Sequence, residues 1–256
     1  MIGRAHAYVA AVLATTGILL TPQFVMADSG GASLSGGAST TTPTTPSAPP
    51  ADGTVQAGNR VITARGNGIT ITTHSSALFR KRLRFSGTVG SSNAGRLVEI
   101  DRRGRGTHGT WSPTVRGRVR SNGSFSATWA TSQTGRFAVR AIVLRHNAPR
   151  ATPAPSPTLT VIVYKVSIAT TYGPGFYGSK TACGETLTRK TLGTANRTLK
   201  CGTRVSVLYH GRSIVVPVID RGPYANGANW DLTVATAQKL RMNGTAKIGA
   251  AALPPK

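Results

Sequence analysis

SIVVPVIDRGPYANGANWDLT, residues 213–233, decides how the last third of the chain folds. The apolar, β-branched run 213–219 reads as a strand, and Arg221-Gly222-Pro223 stops it directly after Asp220. A carboxylate at a strand end, just before a turn, is displayed to whatever lies over that end. Around this stretch, KVSIATTY, RVSVLYH and KIGAAAL read as further short strands, and only LTVATAQKLRM (232–242) carries a helix pattern. So many short strands leave many exposed edges, which closure into a small β-barrel removes. The barrel is expected over 165–256, a length that suffices for one small core.

Working outward, residues 56–164 alternate short apolar runs with turn residues: RVITA, GITITT, LRFSGTV, RLVEIDRR, GSFSATWA, GRFAVRAIVL and LTVIVYK. Seven such runs predict a β-sandwich of immunoglobulin-like architecture, without the antibody-type disulfide because no cysteine lies there. The fold class is therefore all-β, a sandwich followed by a barrel. Trp111 and Trp129 have two readings, core side chains or sugar-stacking platforms. APRATPAPSP (148–157) reads as a Pro-rich connection or hinge. Residues 28–55, built of Gly, Ser, Thr, Ala and Pro, cannot offset their ordering entropy by burial and read as a flexible tether. Ahead of it, Arg4, the apolar run 8–20 and Val25-Met26-Ala27 read as a secretory signal over 1–27, too short to span a bilayer. The mature chain is expected outside the cell or at its wall, with no transmembrane segment.

Charge narrows the function. The 256 residues hold 31 Lys and Arg against 7 Asp and Glu, a formal charge of +24. Residues 56–163 alone carry 17 basic and 2 acidic side chains. A domain this basic adheres to polyanions, for an exported protein anionic wall polymers. No nucleic-acid motif or aromatic face accompanies the charge, so no specific nucleic acid is expected. No phosphate-binding GxxxxGK[ST] string occurs, and GRGTHG and GPGFYG open no helix in a βαβ unit, so no nucleotide cofactor is expected. Cys183 and Cys201 are the only cysteines, and in an exported chain they read as a disulfide; no metal is expected, since a metal site would need further ligands and His210 is the only histidine of the barrel.

Three strings in the last 90 or so residues carry a resemblance: ATTYGPGFYGSKTACGETLT, GTANRTLKCGTRV and VPVIDRGPYANGANWDLT. In this order they resemble the rare lipoprotein A (RlpA-like) group of double-psi β-barrels, and more remotely expansins, barwin-like proteins and family 45 endoglucanases. The resemblance covers residues 168–253 and none of the first 165. It implies a six-stranded double-psi barrel with an open groove for glycan and, in some members, lytic transglycosylase activity on peptidoglycan.

The barrel holds three carboxylates, Glu185, Asp220 and Asp231. A lytic transglycosylase needs few: an acid protonates the leaving oxygen, and a base then takes the proton of the sugar's own C6 hydroxyl. Asp220 is the first candidate; it matches a residue implicated in active relatives, and its other reading is a turn-pinning side chain. Asp231 either lines the groove or caps the helix that follows. Glu185 is either held near the groove by the disulfide or is an ordinary surface residue. Asn196 stands where the family pattern has histidine, and an amide cannot move a proton. Tyr172, Tyr177, Asn196, Arg221, Tyr224 and Trp230 are candidate sugar-binding residues, with Tyr172 expected half-buried. Three functions follow: peptidoglycan cleavage with Asp220 as acid and base, expansin-like glycan binding or wall loosening without cleavage, and a barwin-like secreted defence or interaction protein.

Overall fold

The computed structural model describes residues 52–144, 154–224 and 227–254. The signal read at 1–27, most of the tether and part of the Pro-rich connection lie outside the described residues.

Residues 60–144, with the first half of a later strand, form two sheets packed face to face. One sheet contains β2 (Val61–Gly66), β3 (Ile69–His74), β5 (Arg82–Val89) and β8 (Ser124–Ala130), in that order and antiparallel. The other is built of β7 (Ser112–Arg118), β6 (Leu97–Gly104), β9 (Gly135–Leu144) and β10 (Leu159–Tyr172), with the short β4 (Ser76–Leu78) on the far side of β10. The period-two alternation seen in the sequence turns Leu83, Phe85, Phe125, Trp129, Phe137, Val139, Val161 and Val163 into one shared core. Gly87 is required there, because a Cβ would stand 1.9 Å from the carbonyl oxygen of Thr70.

The barrel is closed by six strands. The second half of β10 pairs with β15 (Ala246–Ala252), and the circuit continues through β12 (Arg204–Tyr209), β13 (Arg212–Asp220), β11 (Thr194–Ala195) and β14 (Trp230–Thr233). Parallel pairing of β14 with β10 completes the ring, so none of the six is an open edge. Val205, Val207, Ile214, Val216, Val218, Leu232 and Ile248 fill the interior. Helix α1 (Val234–Leu240) covers it with Ala237 and Leu240. Thr233 caps that helix by accepting from the Thr236 amide.

β10 is the joint between the two halves. Its 14 residues contain no Gly or Pro; Leu159–Val163 bond to β9, and Lys165–Ala169 bond to β15. One unbroken strand therefore belongs to the sandwich first and to the barrel afterwards. Side chains reinforce it: the Tyr164 and Ser206 hydroxyls hydrogen-bond at 2.9 Å in a buried position. The end of the stretch read as a tether also lies on the barrel. β1 (Gln56–Ala57) pairs with β13, the Gly53 amide donates to the Val215 carbonyl, and Asp52 forms an ion pair with Arg204.

Candidate functional site

Asp220 ends β13, Asp231 lies in β14, and β11 runs between those strands. Ala195 is in register with both aspartates, Asp220 on the parallel side and Asp231 on the antiparallel side. The pairing is irregular here: Thr194 meets Val218 and Ala195 meets Asp220, so β13 carries one extra residue, a bulge, just before Asp220. The two aspartates thus lie on the strands either side of β11, two strand spacings or about 10 Å apart at the backbone, with buried Ala195 between them.

Each carboxylate is oriented by a different device. Asp220 Oδ1 accepts from the amides of Ala182 at 2.9 Å and Arg221 at 2.8 Å, which fixes the direction of the group. Among the described residues nothing is bonded to its Oδ2. Asp220 is half-buried, neither sealed beneath packed side chains nor fully in solvent. Asp231 Oδ1 accepts from the Thr170 hydroxyl at 2.9 Å. Burial pushes the Asp231 carboxyl above the ordinary aspartate range; the Thr170 hydrogen bond opposes this, and the charge of Asp220 adds to it. Asp231 is a strand residue, so the helix-capping reading is corrected: the cap belongs to Thr233.

Glu185 sits in the loop between β10 and β11, exposed. That loop folds back on itself through Gly178 N to Leu187 O, Leu187 N to Ser179 O and Thr181 N to Glu185 O. It is tied down where Cys183 joins Cys201 and where the Cys183 amide donates to the Ile219 carbonyl, next to Asp220. The disulfide thus fixes the loop that carries both Glu185 and the Ala182 amide.

Tyr172 reports the convergence. Its hydroxyl is buried with no hydrogen-bond partner. Its ionisation is pushed strongly upward, first by burial and then by the charges of Asp220, Asp231 and Glu185. All three carboxylates of the barrel therefore act on one phenol. Beyond Tyr172 the ring of Phe176 meets it edge-on at 6.5 Å, and Phe176 and Tyr224 are exposed. Tyr177 lies against Gly173, where a Cβ would come within 2.6 Å of its hydroxyl, and carries the Arg189 guanidinium at 5.2 Å.

Three of the expected sugar contacts are engaged inside the barrel. Trp230 is 8% exposed and packs in the barrel core, because its strand position alternates inward. Arg221 turns away from Asp220: its Nη1 donates to the carbonyls of Asn196 at 3.1 Å and Leu199 at 2.7 Å, and its Nη2 approaches Cys201 Sγ. It holds the 196–201 turn and, through its own amide, Asp220. Asn196 caps the same turn. Its Oδ1 accepts from the Thr198 and Leu199 amides, its Nδ2 donates to the Asn229 carbonyl, and its backbone amide donates to the Asp220 carbonyl. The sandwich tryptophans are not open platforms either. Trp129 is in the core edge-on to Phe137, and Trp111 is flanked by Arg103 and Arg140.

Sequence reasoning missed Thr170 and the Ala182 amide. The period-two spacing of Thr170 from Tyr172 was the available signal for the first, since both side chains leave β10 on one face. Nothing local marks the second, which depends on the loop closing back onto Asp220.

With this geometry in view, comparison with known proteins gives a consistent result. A family model described as lytic transglycolase matches residues 166–250. The probable endolytic peptidoglycan transglycosylase RlpA of Synechocystis sp. is 42% identical over 88 residues, 34% of this chain and 27% of that one. The endolytic peptidoglycan transglycosylase RlpA of Campylobacter jejuni is 41% identical over 85 residues, 32% of this chain and 31% of that one. The probable endolytic peptidoglycan transglycosylase RlpA of Aquifex aeolicus is 43% identical over 76 residues, 29% of this chain and 34% of that one. The chain thus spans about a quarter to a third of the length of these relatives, over the barrel.

Proposed function

We propose, taking residues 166–250 as an RlpA-like double-psi β-barrel, that the protein is exported and that this barrel binds peptidoglycan glycan strands and cleaves them as a lytic transglycosylase. The observation that carries the reading is that Asp220 and Asp231, on the strands either side of β11, both pair in register with Ala195, while Thr170 of β10, which bonds Asp231, stands two residues before the half-buried Tyr172 and its exposed neighbour Phe176. The environments of the two aspartates suit different roles. Asp231, whose proton affinity is raised by burial and by its neighbour's charge, is the better suited to protonate the glycosidic oxygen as the bond to the anomeric carbon breaks. Asp220, aimed by two amides and with Oδ2 open, faces the developing positive charge and takes the proton of the C6 hydroxyl as its oxygen bonds to the anomeric carbon. Proton exchange through solvent then resets the pair. Two carboxylates thereby share the work that the sequence reading gave to Asp220 alone. Around the barrel, the sandwich is read as an immunoglobulin-like adhesion domain for anionic wall polymers.

A second reading, glycan binding or wall loosening without cleavage, is favoured by position 196. The amide there is committed to the turn and no imidazole stands in its place.

The test is mass spectrometry of purified glycan strands after incubation with the full chain, Asp220→Asn and Asp231→Asn, with retention on intact walls measured in parallel. Anhydro-sugar ends made by the wild type and lost in both variants, with wall retention kept, support cleavage. Retention without anhydro ends in the wild type supports the second reading. Neither retention nor new ends would overturn both.

A further inference from the structure

Apart from the carboxylate site, the seam between sandwich and barrel holds a cavity of about 80 Å³. Its walls come from several separate segments. Arg136 reaches it from β9 and Tyr164 from β10; Arg60 and Ser75 come from the chain on either side of β2 and β3; Ser206 and Ser213 come from the barrel. No carboxylate is among the lining residues. Asp52 is near, but it is engaged by Arg204, whose Nε lies 2.9 and 3.0 Å from its two oxygens.

Arg136 is the unusual member. Its Nε is buried and has no hydrogen-bond partner. A buried guanidinium donor left unmet is unfavourable, and an anion placed against it would remove that penalty. Burial and the Arg204 charge both disfavour the Arg136 cation, with Asp52 and Tyr164 acting in the opposite sense. Arg60 and the hydroxyl-bearing Ser75, Ser206 and Ser213 line the same cavity from different segments. A planar carboxylate presents two oxygens in one plane, whereas a tetrahedral oxyanion can meet donors arriving from several sides.

We infer that this seam cavity is a binding site for a phosphoryl group, held by Arg136 and Arg60 and by the hydroxyls of Ser75, Ser206 and Ser213. It goes beyond general adhesion of a basic domain, because the site needs both halves of the protein and the β1 side of the chain. A phosphate seated there would bridge sandwich and barrel at the joint made by β10. Free phosphate and the phosphodiester of a wall polymer share the chemistry required.

The test measures saturable binding of inorganic phosphate and of poly(glycerol phosphate) to the full chain by calorimetry at about 0.15 M salt, where surface charges are screened beyond about 8 Å. Arg136→Gln, Arg60→Gln and, as control, Arg82→Gln on the other sheet each remove one positive charge, so general electrostatics falls equally in all three. Phosphate affinity is expected to fall about tenfold or more in the first two, the size of a lost charge-assisted hydrogen bond, and to be unchanged in the third. Binding of phosphate alone assigns the site to the free ion; tighter binding of the polymer assigns it to the chain; either supports the site. Equal loss in all three variants, no saturable phosphate binding, or equally Arg136-dependent binding of polygalacturonate overturns it. If Arg136→Gln does not fold, Arg60→Gln, at an exposed position, and Ser213→Ala decide the question in its place, by the same loss or retention of phosphate affinity.

Discussion

Thr170 donates its hydroxyl to Asp231 Oδ1 at 2.9 Å, and the two residues face each other in register where β10 pairs with β14. The bond favours the ionised carboxylate and so opposes the burial that raises its proton affinity. Thr170→Val removes the donor and keeps the shape. The midpoint at which Asp231 loses its proton moves to higher pH, and the corresponding limb of the pH profile of glycan cleavage moves with it. A profile identical to wild type would show that Asp231 does not titrate in the reaction.

Asp231 also makes a stability prediction with a definite sign. The folded state retains this proton to higher pH than the unfolded chain, whose aspartate titrates at its ordinary value of 3.8. As pH rises through that value the unfolded chain releases the proton first, so folding weakens and stays weaker above the folded midpoint. Asp231→Asn, which cannot ionise, therefore stabilises the protein at neutral pH. The carboxyl is partly exposed, and screening holds the gain to about 1 kcal/mol or less, or about 2–4 °C in melting temperature for a protein of this size. Below pH 3.8 the gain disappears. A melting series against pH reads both the sign and the window.

Trp230 and Tyr224 are both aromatic and both flank Asp220 and Asp231 in sequence, yet they are predicted to fail in opposite ways. Trp230→Ala empties part of the barrel core, where the ring is 8% exposed; a loss of about 3–5 kcal/mol is expected. Tyr224 is 77% exposed, so Tyr224→Ala leaves stability within about 0.5 kcal/mol while weakening retention on glycan. Denaturant titration and wall retention, measured on both variants, separate them.

Sandwich and barrel are coupled through the buried hydroxyl pair of Tyr164 and Ser206. Tyr164→Phe and Ser206→Ala each remove this bond, at a cost of about 1–2 kcal/mol. Removing both partners recovers part of that loss, and the double-mutant cycle gives a coupling energy of at least about 0.5 kcal/mol. Strict additivity in urea unfolding would mean the pair does not connect the two halves.

The readable parts of this protein are those written in local pattern. The alternation in GRFAVRAIVL and GSFSATWA announces sandwich strands, because a side chain on a pleat can only point to one face or the other. The apolar run 213–219 and the Arg-Gly-Pro after it announce that Asp220 ends a strand. Local pattern reads β10 as two strands, LTVIVYK closing the sandwich and KVSIATTY opening the barrel, whereas it is one; its change of partner at Lys165 leaves no local trace.

Sequence by itself therefore determined the longer strands, the scarcity of carboxylates, the cysteine pair and the all-β class, since each follows from residue type and spacing, while β1, β4, β7, β11 and β14 left no readable pattern. Only the tertiary structure decided that Asp220 and Asp231 flank Ala195, that Trp230 points inward, that Arg221 holds a turn, and that Arg136 meets a cavity made by both halves. Strand register and the closure of a ring bring together residues far apart in the chain, and neither is encoded in any one segment; each is set by the partner strand against which that segment bonds.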